Sequence, residues 1–320
     1  FITPFLFAAS CIGLAFSFRR ALIERIYLAD LLGAGAGAML IVGRLFLLPP
    51  ARGLVVLALM PLAASLMPAL RQAPARWLGV AQVAWLLVLL LTAQQGWVRL
   101  QPSEFKGLSQ ALEVVESRVL DEQSGPLGLL TVVESPLVPF RHAPGLSFNA
   151  RSVPPEQLAV FTDGDAMSVI NRHDGSWAGL DFLADLSMAL PYRLLDQPDV
   201  LVLGSGAGSG VLLALHQDAS HVDAVELNPQ MAGLVRVRFA EFAGRVFDDP
   251  RVTLHLGEAR AFAARSSRQY DLVQIGLLDS FGVAGSGVQA LNESYLYTVE
   301  AIGEYLQRLR PGGVLAITRW

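Results

Sequence analysis

The stretch "DVLVLGSGAGSG" (199–210) decides how the carboxyl-terminal half of this chain folds. A short apolar run leads into Gly204, Gly206, Gly208 and Gly210, and the apolar helical segment "SGVLLALHQ" begins among these glycines. Glycine lets the backbone turn tightly and lets a ligand approach the main chain. Free N–H groups at the start of the following helix face such a ligand. The stretch therefore predicts a strand, a ligand-binding turn and a helix, in that order.

The alternation of strand and helix continues to the end of the chain. Further apolar strands are predicted at 221–227, 251–257, 270–276 and within 311–320, with helical segments between them. Apolar strands that alternate with helices form a parallel sheet covered on both faces. We therefore predict an α/β fold, with a Rossmann-like domain over residues 166–320.

The first hundred residues have a different character, with four apolar stretches at 1–18, 26–48, 53–70 and 77–97. Each stretch has roughly the 17–25 residues that a helix needs to cross a bilayer. Almost no polar face is present, unlike in a soluble amphipathic helix. Residues 1–98 are therefore predicted to be a transmembrane domain of four helices, with the lipid bilayer as partner.

The distribution of charge supports this division of the chain. Residues 1–98 carry seven Arg against two acids, a net charge of +5, and the remainder carries 17 basic and 26 acidic residues, a net charge of −9. An acidic domain repels phosphate backbones, so we expect no nucleic-acid partner. The sole cysteine is Cys11, and the five His show no paired metal-ligand spacing, so no metal is expected.

Residues 99–165 are predicted to be a linker and a small β-rich lead-in. "GPLGLLTVVES" alternates like a strand after a Gly-Pro turn, and "LAVFTDGDAMS" resembles a second strand that ends in an Asp-Gly turn. The chain begins at Phe1 rather than Met, and sheets of the predicted kind have further strands after the fifth. We therefore expect an excerpt of a longer protein, truncated at both ends.

Two acids follow the second and third predicted strands of the main domain. Glu226 lies 22 residues after Gly204, where an acid can accept hydrogen bonds from ribose hydroxyls. Glu258 and Ala259 lie beside the expected adenine position, although the spacing alone also admits a dinucleotide. "GEAR" (257–260) resembles the "GDAR" step of class I S-adenosylmethionine-dependent transferases, whose acid contacts the adenine amine. We therefore favour S-adenosylmethionine or its decarboxylated form as the cofactor.

From about Gly128 to Trp320 the chain resembles the spermidine synthase-like aminopropyltransferases. The resemblance follows an ordered series of motifs: "FTDGDAM" is similar to the family's "LDGxxQ", "DFLADLSMALP" to "HEMLAHLPL", "GSGAGSG" to "GGGDGG", "VELNP" to "VELDP", "YDLVQIGLLDS" to "YDVIIxDSSDP", "SYLYTVEAI" to "LYTxEFY", and "LRPGGVLAI" to "LxPGGxL". The apolar start resembles the membrane-fused bacterial branch of this family. It implies a multi-pass protein of the bacterial inner membrane.

The resemblance implies a role for several acids of this chain. Asp163, Asp181 and Tyr297 would bind the amine substrate, and Asp163 and Asp279 would take part in catalysis. Cofactor binding would fall to Gly204, Gly206, Gly208, Glu226, Glu258 and Ala259.

Three positions depart from the family pattern. Ala207 replaces the Asp of "GGGDGG", Met167 replaces the Gln of "LDGxxQ", and Gly276 replaces the strand-tip Asp implied to be the base. The cofactor half of the site thus matches the family, while the half that activates the amine is depleted. Either Asp279 substitutes for the missing acid, or the acceptor is not a diamine.

Three functions therefore stay open. The first is a membrane-anchored transferase that moves an aminopropyl group to a small amine. The second is a methyltransferase acting on a membrane-delivered acceptor, because methyl transfer can proceed by proximity without a strong base. The third is a non-catalytic cofactor sensor that regulates a membrane transporter. A homo-oligomer is also left open.

The orientation of the membrane part carries conflicting signals. Arginines in the first and third links between the apolar stretches would place those links in the cytoplasm and the soluble domain outside. We expect a cytoplasmic soluble domain nonetheless, because its nucleotide-like cofactor is found there.

Overall fold

The computed structural model describes residues 2–47, 102–276 and 295–318, with position 53 and scattered positions between 80 and 91. The predicted membrane spans at 53–70 and 77–97 lie outside the described residues except at those positions. Asp279 lies outside them as well. The chain divides into two compact units, Phe1–Arg99 with Ser124–Pro126, and Leu100–Gln123 with Leu127–Trp320. The exact domain boundaries given above stay a prediction.

The first unit contains α1 (Ile2–Phe18), a 3₁₀ turn (Arg20–Leu22) and α2 (Ile23–Leu45). Within the described residues, one helix is long and apolar enough to cross a membrane. It is the continuous segment Arg20–Leu45, whose mean hydropathy is 1.7 and whose apolar window is not buried. It contains most of the predicted span 26–48, whereas the predicted span 1–18 corresponds to the shorter helix α1. The four-span arrangement stays a prediction.

The second unit begins with a small helix and an antiparallel sheet, which confirms the β-rich lead-in. The elements are α3 (Gly107–Glu113), β1 (Arg118–Gly125), β2 (Gly128–Glu134), β3 (Gln157–Thr162) and β4 (Ala166–Asn171). The strands lie in the order β1-β2-β3-β4, and β3 pairs antiparallel with both β2 and β4. The sheet therefore extends beyond residue 165, where the sequence placed the end of the lead-in.

A second sheet of five strands follows, and it confirms the α/β prediction. Its elements are β5 (Asp199–Leu203), α4 (Ser209–His216), β6 (His221–Glu226), α5 (Pro229–Gly233, continued by a π-helical turn to Arg238), β7 (Val252–Leu256), α6 (Ala259–Arg265), β8 (Tyr270–Ile275), α7 (Val299–Gln307) and β9 (Leu309–Ile317). Two 3₁₀ segments, Asp181–Asp185 and Ser187–Leu194, connect the sheets. The strand order is β7-β6-β5-β8-β9, with parallel pairing throughout.

The central strand β5 shows why this sheet is stable. Side chains alternate between the two faces of a strand, and both faces of β5 are buried. Val200 and Val202 pack in the core shared with α4 and the lead-in sheet, while Leu201 and Leu203 pack in the cluster that contains α6 and α7 residues. The carboxyl ends of the strands therefore form one edge between two covered faces, where ligands bind in open α/β sheets.

Side-chain caps begin two of the helices of this domain, α5 and α7. The Asn228 side chain accepts a hydrogen bond from the Gln230 N–H and precedes Pro229 at the first turn of α5. Thr298 caps α7 through the Ala301 N–H. Proline and small polar residues are favoured at such positions. Pro229 indicated the start of α5 in the sequence, whereas the helix predicted from residue 295 begins at Val299.

Candidate cofactor and acceptor site

The glycine loop lies at the carboxyl end of β5 and requires glycine at alternate positions. Gly204, Gly206 and Gly208 have φ values of 77°, 51° and 92°, in the left-handed region that side chains disfavour. A Cβ at Gly208 would lie 3.3 Å from a methyl carbon of Val246. A Cβ at Gly206 would meet only the Ser168 hydroxyl oxygen, at 3.7 Å. The loop is therefore packed behind Gly208 and accessible in front of Gly206.

Glu226 ties this loop to the end of β6. One carboxylate oxygen accepts a hydrogen bond from the Gly206 N–H at 2.7 Å, and the other accepts from the Asn228 N–H at 2.8 Å. The residue is only 8% exposed. Burial raises the pKa of Glu226, although hydrogen bonds from backbone N–H groups oppose that shift. A carboxylate has about four acceptor positions, and the backbone N–H groups of Gly206, Leu227 and Asn228 use three of them, so Glu226 retains one for a ribose hydroxyl.

Glu258 has a structural role that the sequence did not indicate. Its carboxylate caps α6, accepting hydrogen bonds from the Arg260 N–H at 2.9 Å and the Ala261 N–H at 2.6 Å. Glutamate is not a preferred N-cap residue, so the sequence carried no signal for this role. Ala259 is buried in the same apolar cluster that Tyr297 packs against. Tyr297, predicted to bind the amine, thus lies on the face of the sheet that α6 and α7 cover.

The other two predicted acids have contacts elsewhere than at the glycine loop. Asp163 is exposed at the tip of the β3–β4 hairpin, where its carboxylate accepts a hydrogen bond from the Leu129 N–H at 2.9 Å. Asp181 is exposed, and its charge acts on His216 at the carboxyl end of α4. That helix begins at the glycine loop, and eight residues at 1.5 Å each separate its ends by about 12 Å. Neither acid has a described contact with the loop.

The tip of β8 at Gly276 forms an apolar contact that sequence reasoning missed. A Cβ built at Gly276 would lie 3.8 Å from the Met188 methyl carbon, an ordinary van der Waals distance, and no other heavy atom of the described residues is given within 4 Å. The φ angle of Gly276 is not in the left-handed region, so its backbone conformation does not demand glycine. Sequence alone offered no signal, because the two residues are distant in the chain.

A buried hydrogen bond holds the segment that carries Met188 against β8. The Tyr192 hydroxyl donates to the Gln274 side-chain oxygen at 2.7 Å. Both residues are buried, and Gln274 is 1% exposed. Tyr192 and Met188 belong to the same 3₁₀ segment, Ser187–Leu194. This bond therefore positions Met188 at the strand tip.

The remaining two departures from the family pattern also face apolar surroundings. Ala207 is buried in the main core. Met167 packs with Phe161 in the cluster that the far face of the lead-in sheet forms with α3, whereas Ser168, on the other face, points toward Gly206. Position 167 thus contributes nothing to the glycine loop, and the nearest lead-in side chain there is Ser168.

Comparisons with known proteins agree with this geometry. The model of the spermine/spermidine synthase domain matches residues 188–318. A polyamine aminopropyltransferase of Nitrosomonas europaea is 32% identical over 123 residues, covering 38% of this chain and 35% of that protein. Polyamine aminopropyltransferase 2 of Pseudomonas aeruginosa is 33% identical over 144 residues, covering 42% of this chain and 39% of that protein. A polyamine aminopropyltransferase of Prochlorococcus marinus is 26% identical over 228 residues, covering 70% of this chain and 66% of that protein.

Among solved structures, spermidine synthase from Thermotoga maritima overlays with a TM-score of 0.44 at 17% identity, over 62% of this chain and 56% of that one. The fold assignment rests on the strand order of this chain rather than on that overlay. The matches span 35% to 39% of the length of the curated relatives from Nitrosomonas and Pseudomonas. Residues 188–318 are therefore similar to the spermine/spermidine synthase domain, and the curated relatives named above are polyamine aminopropyltransferases.

Proposed function

We propose that this protein transfers an aminopropyl group from decarboxylated S-adenosylmethionine to an amine. The observation that carries the proposal is the glycine loop held by Glu226 at the carboxyl edge of the parallel sheet. The loop is packed against the core, Glu226 has acceptor capacity to spare, and Gly206 is accessible. Together these features fit the sugar and the sulfonium arm of such a donor. The relatives named above support aminopropyl rather than methyl transfer.

Each element of the edge would contribute one part of the donor site. Glu226 would accept a hydrogen bond from a ribose hydroxyl, and Gly204, Gly206 and Gly208 would let the donor approach the main chain. Glu258 and Ala259 would lie beside the adenine, and Glu258 would still cap α6. The donor supplies an electrophilic carbon beside its sulfonium, and the protein orients it toward the tip of β8.

The predicted acids account for less of the acceptor side of the site than of the donor side. Asp163 accepts one hydrogen bond, from the Leu129 N–H, and keeps acceptor positions for an amine. The charge of Asp181 acts on His216. Asp279 stays a prediction from the sequence as the acid that takes up the departing proton. Asp279→Asn tests this role, because the change removes charge and basicity while keeping size.

A methyltransferase is the second candidate, and the apolar contact at Gly276 favours it. Methyl transfer to an acceptor that is already nucleophilic depends on proximity and orientation rather than on a strong base. S-adenosylmethionine would then replace its decarboxylated form in the same loop. The acceptor would be delivered from the membrane if the apolar segment Arg20–Leu45 anchors the protein there, as we also propose.

A turnover assay with the full chain separates these functions. The purified protein would be incubated with each donor and an amine, and the products identified by mass spectrometry. Mass gain of one aminopropyl group on the amine, dependent on the decarboxylated donor, is the expected result. A mass gain of one methyl group that occurs only with S-adenosylmethionine as the donor would overturn the proposal in favour of the second candidate.

A further inference from the structure

We propose that Ser168, on the lead-in sheet, is a donor-binding residue whose hydroxyl hydrogen-bonds to the sugar of the donor in front of Gly206. The inference rests on the proposed aminopropyl transfer and adds a residue of the lead-in sheet to its donor site. Its support is the close approach of β4 to the glycine loop, together with the buried polar side chains that hold the two segments in place.

The Ser168 hydroxyl lies at the open side of the glycine loop. A Cβ built at Gly206 would meet the Ser168 hydroxyl oxygen at 3.7 Å, and outside the adjacent residues no other heavy atom of the described chain lies within 4 Å of that point. Ser168 is half-buried, so part of its surface stays accessible beside the loop. A ligand that occupies the space in front of Gly206 therefore comes within reach of a hydroxyl group.

The sugar is the part of the donor that this position reaches. The Gly206 N–H donates to Glu226 at 2.7 Å, and Glu226 is the proposed acceptor for a ribose hydroxyl. Glu226 and Ser168 are therefore neighbours of the same glycine. A hydroxyl group can both donate and accept hydrogen bonds. A ribose hydroxyl that donates to Glu226 can thus accept a hydrogen bond from Ser168 through its own oxygen.

Ser209, the first residue of α4, fixes β4 beside the loop. Its hydroxyl donates to the Val169 carbonyl oxygen at 3.1 Å and accepts from the Asn171 side-chain nitrogen, also at 3.1 Å. Val169 follows Ser168 in the strand, and Ser209 follows Gly208 in the loop. The two segments are therefore joined one residue away from Ser168, and a shift of the strand along the loop would break both hydrogen bonds.

Buried groups behind Asn171 hold this arrangement in turn. Gln157 donates to the Asn171 side-chain oxygen at 2.8 Å, and it bonds the backbone N–H and carbonyl of His142 at 2.8 Å and 2.9 Å. Gln157 is 2% exposed and Asn171 is 5% exposed. A buried polar network whose members are paired rigidifies its surroundings. Ser168 therefore faces the loop from a preorganised position, which lowers the cost of binding a ligand there.

Two ligands that share the sugar provide the test. Decarboxylated S-adenosylmethionine and 5′-methylthioadenosine, the thioether left after aminopropyl transfer, have the same adenosine part, but only the first has the charged arm. We expect Ser168→Ala to weaken both by the same factor, roughly two- to tenfold, as for the loss of one neutral hydrogen bond. Calorimetric titration of the full chain measures the dissociation constants. The matched control Ser109→Ala makes the same change in α3, on the far face of the lead-in sheet, and should alter neither constant.

Each result decides between the claims. Unchanged dissociation constants for Ser168→Ala would overturn this inference and leave the proposed function standing. A loss confined to decarboxylated S-adenosylmethionine would overturn it as well, because the hydroxyl would then contact the arm rather than the sugar. An equal loss in Ser109→Ala would show that the effect does not arise at the loop, with the same consequence. A wild type that binds neither ligand would remove the proposed function, and the inference with it.

Discussion

At the scale of single residues, Glu226 has two tasks at once. It holds the Gly206 N–H, and so shapes the loop, and it is the proposed acceptor for a ribose hydroxyl. Burial raises the pKa of this carboxylate, and the backbone N–H donors stabilise its charged form. A bound sugar would add a further donor to the same group.

Glu226→Ala is therefore expected to weaken donor binding. Hydrogen bonds to charged groups contribute about 1.5–3 kcal/mol, which corresponds to about tenfold or more in affinity. Calorimetric titration would measure the dissociation constant. Glu241→Ala is the matched control, because Glu241 is an exposed surface acid paired with Arg245, and it should change nothing. An unchanged constant for Glu226→Ala would mean that this strand end does not bind the ribose.

Gly208→Ala is expected to destabilise the domain. The position has a φ of 92° and a methyl carbon of Val246 at 3.3 Å from the new Cβ. Residues held in the left-handed region cost about 1–3 kcal/mol. Urea unfolding of both variants would compare it with Gly233→Ala in α5, where no atom lies within 4 Å and alanine is favoured by about 0.5–1 kcal/mol. Equal stabilities of the two variants would contradict the packing described for the loop.

At the scale of secondary-structure elements, Asp223 joins three strands at the opposite end of the sheet. The His255 ring nitrogen lies 2.7 Å from one carboxylate oxygen, and the Tyr270 hydroxyl donates to the other at 2.9 Å. His221 lies 3.3 Å from the first oxygen. Burial opposes ionisation, but the hydrogen bonds from His255, Tyr270 and His221 outweigh it, so the pKa of Asp223 is lowered. The cluster fastens the edge strand β7 to its neighbour β6.

Asp223→Ala should therefore lower the free energy of unfolding at pH 7 by about 1–3 kcal/mol, because the buried Tyr270 and the half-buried His255 lose their acceptor. A lowered pKa gives stability that is present above the unfolded value of about 3.9 and is lost as pH falls through the folded value. Wild type and variant should thus differ at pH 7 and converge in strong acid. Urea unfolding at a series of pH values measures this. A difference that persists at pH 2 would show that the charge of Asp223 is not its source.

Local signals explain how much of these elements could be predicted. The glycine loop at 204, 206 and 208 and each of the regularly spaced apolar strands is determined by a short stretch of sequence. The loop and the five parallel strands were therefore predicted. The turn at Asp163 was predicted because an Asp-Gly pair indicates a turn, but the strand β4 that follows it was not. Contacts between distant segments carry no such signal. The cap by Glu258 and the contact of Met188 with Gly276 were therefore missed.

At the scale of the whole molecule, the helix Arg20–Leu45 and the α/β domain differ sharply in composition. The helix has a mean hydropathy of 1.7 and exposed apolar side chains, while the carboxyl-terminal part is acidic. Exposed apolar surface of this length is unfavourable in water and favourable in lipid. The sequence predicted this division because the amino-acid composition differs over long segments and does not depend on contacts between them.

The full chain is accordingly expected to remain with the membrane fraction after washing in high salt and in alkaline carbonate. Lipid burial of the helix is hydrophobic, so neither treatment should release it. Immunoblotting of pellet and supernatant measures the distribution. A chain that lacks residues 1–98 is the control and should be recovered in the supernatant. Recovery of the full chain there without detergent would refute the membrane anchor.

The most direct measurement is calorimetric titration of the full-length protein with decarboxylated S-adenosylmethionine and, separately, with S-adenosylmethionine. The loop of Gly204, Gly206 and Gly208, closed by Glu226, is proposed to hold the decarboxylated donor for aminopropyl transfer. We predict saturable binding of both donors through their shared adenosyl group, with at least about tenfold higher affinity for the decarboxylated form, a difference of about 1.4 kcal/mol. Absence of binding by either donor, or a clear preference for S-adenosylmethionine, would contradict this account.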